Sequence, residues 1–147
     1  MTAHPFHLGL ATVAVLAGCA ADQAPITVSF SNICQQEAKS RVAVDGYLRL
    51  PLMNMTCKSG RCLAIFYAAP GGKGAWIGAD VRNTAKSGSG VNAIEMPPKT
   101  YRAEDLRVHL KDGSVVGQDA KVRLIGEVRK SGNSCRIEVD LIEASRG

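Results

Sequence analysis

The chain has 147 residues, of which 46% are hydrophobic and 21% charged, and it carries a formal charge of +5. That length suits one domain with a real core, and no internal repeat argues for an array. The basic excess is compatible with an acidic partner, and equally with ordinary solubility.

The first element is the apolar run 6–16 (FHLGLATVAVL). It is shorter than the roughly 20 residues that span a bilayer, and it has the length of the apolar region of a secretory signal. No later apolar run approaches membrane length. The run ends at Leu16-Ala17-Gly18-Cys19. An aliphatic residue, two small residues and Cys at this place resemble the lipobox of bacterial lipoproteins. The resemblance implies cleavage between Gly18 and Cys19, a lipid on the Cys19 thiol, and acylation of the new N-terminus. More than one acyl chain makes anchoring stable. Ala20, where inner-membrane lipoproteins tend to carry Asp, points to the outer membrane facing the periplasm. Residues 1–18 are thus expected to be a signal peptide, 19–25 a lipidated tether, and 26–147 the folded domain.

With Cys19 set aside, Cys34, Cys57, Cys62 and Cys135 remain. In an exported chain an even set reads as disulfides, with three possible connectivities. A zinc site is disfavoured, because C-x₄-C is followed by no Cys–His pair.

From Ile26 on, the pattern has period two. Arg41–Leu50 reads as a strand, with Val42, Val44, Gly46 and Leu48 on one face. Cys62–Ala68 reads as a second strand. Pro70–Gly78 reads as turn-rich and residues 83–90 as an exposed loop. Val91–Met96 is expected to form a short strand. Leu106, Val108 and Leu110 alternate with Arg107, His109 and Lys111 before a turn at Asp112-Gly113. Lys121–Arg129 is another strand, Lys130–Ser134 a turn, and Cys135–Glu143 the last strand. Helix signals are poor, with a turn or so at Tyr101–Leu106.

Five or six strands at this spacing predict an all-β domain, a small barrel or a sandwich. The stretches VAVDGYL, HLKDGSVV and DAKVRLIGEVRKSGNSCRIEVDLIEA resemble the OB-fold, and Gly46 and Gly126 suit strands that bend to close a barrel. A β-sandwich is the alternative. The four residues between Cys57 and Cys62 make a tight turn, which predicts a Cys57–Cys62 disulfide. The OB resemblance pairs the first strand antiparallel with the fourth, which implies Cys34–Cys135.

No catalytic constellation is evident, so an enzyme is not expected, nor a cofactor or metal. His109 is the one His left after the signal and lies on the polar face of its strand. Gly71-Gly72-Lys73-Gly74 lacks the spacing of a phosphate loop, and Gly88-Ser89-Gly90 lacks the strand and helix a dinucleotide motif needs. The OB resemblance places ligands on the second and third strands and the adjoining loops. It makes Lys58, Arg61, Phe66, Tyr67, Trp76, Arg129 and Lys130 the candidate ligand-binding residues. The expected role is a lipid-anchored envelope binding or interaction module with an anionic or glycan ligand. A purely structural envelope protein and an enzyme with an unrecognised carboxylate site are the alternatives. The expected partners are the membrane through the anchor and an anionic envelope component or a protein, with nucleic acid disfavoured by the location.

Overall fold

The computed structural model describes residues 23–87 and 90–146. The expected signal peptide, Cys19 and most of the tether lie outside the described residues, as do Gly88 and Ser89. Five long strands form the domain: β1 (Arg41–Arg49), β2 (Arg61–Ala69), β3 (Lys73–Asn83), β4 (Lys121–Ser131) and β5 (Ser134–Ala144). The antiparallel neighbours are β1–β2, β2–β3, β5–β4 and β4–β1, while β3 and β5 run parallel. The cycle 1-2-3-5-4-1 closes the sheet on itself. The fold is therefore an all-β, OB-like barrel, and the sandwich alternative falls because no second sheet exists among the described residues.

Alternation decides which side chains enter the barrel. Val42, Val44 and Leu48 face inward from β1, and Cys62, Ala64 and Phe66 from β2. Ile77, Ala79 and Val81 face inward from β3, Val122, Leu124 and Val128 from β4, and Ile137 and Val139 from β5. A bulge between Val139 and Leu141 shifts the register, so that Ile142 also points inward. Gly126 lies opposite Val139, where a Cβ would overlap the Glu138 carbonyl oxygen. Absence of a side chain there lets β4 and β5 cross closely at the bend.

A 3₁₀ segment, Phe30–Gln35, lies under the barrel, with Ile33 wholly buried and the Phe30 ring 5.3 Å from that of Phe66. Between β3 and β4, Ile94, Leu106, Val108 and Leu110 are buried as well. This segment carries two-residue ladders at Ala93–Ile94, Val108–His109 and Val115–Val116. The last two are joined through the Asp112-Gly113 turn, where Gly113 adopts φ +85°.

Two sequence expectations need correction. The turn after β2 is confined to Pro70–Gly72, and β3 begins at Lys73, inside the stretch read as turn-rich. Gly71, Gly72 and Gly74 all have positive φ, so local chemistry there signals a turn while the register with β2 makes a strand. The expected exposed loop 83–90 begins instead with buried Asn83 and a helical turn, Thr84–Ser87. Both expected disulfides are present, Cys34–Cys135 and Cys57–Cys62. The first is possible because the start of β1 meets the end of β4, with Arg41 opposite Glu127.

Candidate functional site

The outer surface of β1–β2–β3 carries the aromatic side chains that the inner surface excludes. Tyr47 is the register partner of Tyr67, and Tyr67 that of Trp76. Side chains directly opposite on one face lie about 4.5–5.5 Å apart at Cβ, so these three form a continuous row across three strands. Tyr47 and Tyr67 are half-buried, and Trp76 is 62% exposed.

The row adjoins a groove of about 360 Å³ lined by Arg49, Leu52, Tyr67, Gly72, Tyr101 and Arg102. One wall is the loop between β1 and β2. Leu50 roots it in the core, while Leu52 is fully exposed and Met53 is 83% exposed. The loop is nonetheless held at both ends. The Tyr101 hydroxyl sits against the carbonyl oxygens of Pro51, at 2.7 Å, and Met53, and burial raises its pKa. At the other end the Cys57–Cys62 disulfide closes the Cys57–Lys58 and Arg61–Cys62 hairpin.

The residues proposed from sequence do not converge on one place. Tyr67 and Trp76 are in the aromatic row. Phe66 is corrected: it is wholly buried, because its register partner is the inward-facing Ile77. Lys58 is exposed on the hairpin. Arg61 acts as a rivet, its Nη2 donating to the Asp80 carbonyl at 2.7 Å and the Val139 carbonyl at 2.8 Å, so it joins β2, β3 and β5. Arg129 and Lys130 line a separate cleft at the β4–β5 turn with Arg136. Arg129 Nε donates to Glu138 at 2.6 Å, and its Nη2 lies 3.1 Å from Glu127, so it is not an unpaired cation. His109 Nε2 lies 2.8 Å from Glu95 Oε1, and that hydrogen bond, with Arg107 beside it, lowers the pKa of Glu95. Among the described residues no three His, Cys, Asp or Glu side chains gather as a metal cluster.

Sequence reasoning missed Tyr47, Arg49, Leu52, Met53 and Tyr101. Alternation from Leu48 does place Tyr47 and Arg49 outside. Leu52 and Met53 give no such signal, since apolar residues read as core until their exposure is known.

No family model matches the chain, and no curated protein matches it. Among solved structures it is similar to one titled as the crystal structure of the S. pombe Stn1–Ten1 complex, at 12% identity and a TM-score of 0.43. The match covers 88% of this chain and 84% of that one. The barrel itself is established by its strand pairings. The partner expectation from the sequence, a membrane held through the anchor and an anionic envelope component, is set aside. The similar structure is titled as a complex, and it offers that expectation no support. The expectation that nucleic acid is disfavoured is set aside with it.

Proposed function

We propose that the chain is a binding module that docks a polypeptide segment of a partner protein across the Tyr47–Tyr67–Trp76 row and into the groove beside Leu52. The observation that carries this reading is the in-register row continuing into a groove walled by an anchored apolar loop. Trp, Tyr, Met and Arg are the residue types enriched at the centres of protein interfaces. Ordering the loop before binding lowers the entropy cost of docking. A purely structural role leaves the exposure of Leu52, Met53 and Trp76 without a reason.

The export reading goes with this proposal and rests on the letters of the first 19 residues. Two disulfides support it, since such bonds persist in oxidising compartments. Cys19→Ser is expected to abolish acyl labelling of the exported chain, and labelling that survives the change would remove the lipoprotein reading.

The docking test uses immobilised wild-type protein beside Trp76→Ala, Leu52→Asp and, on the far cleft, Lys130→Glu. A partner retained by the wild type and by Lys130→Glu is expected to be lost from both face variants. Truncating a central aromatic typically costs 2 kcal/mol or more, about thirtyfold in affinity. Retention equal in all four proteins would refute the docking face. Trp76 is the single tryptophan of the chain, so its emission reports on this face directly. A shift in that emission on adding an oligosaccharide would replace the polypeptide by a glycan.

A further inference from the structure

The sulfur atoms at the base of the β1–β2 loop converge from three separate segments. Met96 Sδ lies 3.4 Å from Cys57 Sγ and 3.5 Å from Cys62 Sγ. Asn83 Nδ2 donates toward Cys62 Sγ at 3.5 Å. Met96 is 50% exposed and shares a solvent-open cleft with Met55. Met96 is held there by what precedes it, because Ala93 and Ile94 pair with Arg82 and Asn83 of β3. From these contacts we infer that Cys57, Cys62 and Met96 form a binding site for a monovalent soft cation, Cu(I), when the Cys57–Cys62 disulfide is reduced. This inference stands apart from the docking face and does not depend on it.

Thiolate and thioether sulfurs select Cu(I), whereas hard divalent cations take oxygen ligands. The reduction needs two electrons, supplied by a dithiol that leaves as its own disulfide. Binding then releases two protons as Cu(I) takes the two thiolates and the Met96 thioether. Metal–sulfur bonds of about 2.3 Å around one ion put three sulfurs about 4 Å apart. The two cysteine sulfurs must therefore part once the bond between them is reduced, while Met96 Sδ, at 3.4 and 3.5 Å, already lies within roughly half an ångström of that spacing from each. Opening this disulfide frees a sequence separation of 5, against 101 for Cys34–Cys135. The barrel therefore keeps its long cross-link when only the short one is open.

The test titrates dithiol-reduced full-length protein with Cu(I) against a chromophoric Cu(I) chelator, in wild type, Met96→Leu and Cys57→Ser/Cys62→Ser. Met96→Leu conserves volume and is expected to fold. One Cu(I) per wild-type chain is expected, with three sulfur neighbours by X-ray absorption. Met96→Leu should show two sulfur neighbours and an affinity at least about tenfold lower, the lower end of what groups supporting metal ligands are worth. The double serine variant should lose this ion. Cu(I) bound equally tightly by wild type and Met96→Leu, or two sulfur neighbours in both, would overturn the site.

Discussion

Asp45 shows how much of the outer surface is spent on holding strands together. Its carboxylate accepts from Arg123 Nε at 3.1 Å and Nη2 at 2.7 Å, and from the Ser145 hydroxyl at 2.8 Å. One side chain of β1 thus ties β4 and the residue after β5. The Arg123 hydrogen bonds lower the Asp45 pKa from its ordinary 3.8, and those of Arg129 lower Glu138 from 4.5. A lowered carboxyl pKa contributes stability above the unfolded value, and that contribution is lost as pH falls through the folded value. Stability is therefore expected to be level at neutral pH and to fall from about pH 4.5 downward. Asp45→Asn should be less stable than wild type by about 1 kcal/mol at pH 7, with the gap closing by pH 2. Urea midpoints at the two pH values measure this, and a gap that stays constant would show that the ion pair contributes no pH dependence. The pairing of Arg123 with Asp45 was legible in no sequence pattern, because the two residues are 78 apart and meet only through the β1–β4 register.

The two disulfides serve elements of different reach. In the loop-entropy view, closing about 100 residues is worth roughly 4.7 kcal/mol and closing about 6 roughly 2. Cys34→Ala should accordingly lower stability more than Cys62→Ala, as read from denaturant midpoints at one pH. The reverse order would mean that the hairpin, not the closure of the barrel, limits unfolding. A non-reducing peptide map should show peptides joined at Cys34–Cys135 and Cys57–Cys62. Among the strands, β1, β4 and β5 could be read closely from alternation, since each buries one face against the core. The third strand could not. Its first residues, Lys73 to Trp76, are all exposed and include a glycine at φ +77°, so neither hydrophobic period nor turn chemistry marks them as sheet. Only the ladder with β2 makes them a strand, and a ladder is a long-range fact. The aromatic row was hidden as a row for the same reason: Trp76 was a candidate from its letter, but it sits in that unread segment, and its alignment with Tyr67 and Tyr47 depends on two registers.

For the whole molecule, closure of the barrel was foreseeable and its contents were not. Gly46 and Gly126 mark bends, and the alternation of the last hairpin fits a closing sheet. What fills the span between β3 and β4 is a buried segment with two-residue ladders, where apolar letters alone distinguish neither strand nor helix. The Cys34–Cys135 bond has one more consequence, a mechanical one. Tension applied between residues 25 and 146 would first strip the two-residue bridge of Ile26 and Thr27 to β1 and then arrive at Cys34. From there the covalent bond carries the load straight to Cys135 and bypasses the 101-residue span between them. Pulled in an optical trap, the oxidised protein should lengthen only through its two ends, by roughly 75 Å at full extension. After reduction the same pull should release roughly 350 Å more. The C-terminal end that unravels is β5 itself, so the load opens the barrel between β3 and β4, while β1 to β4, with the docking face, lie inside the span that the bond shields.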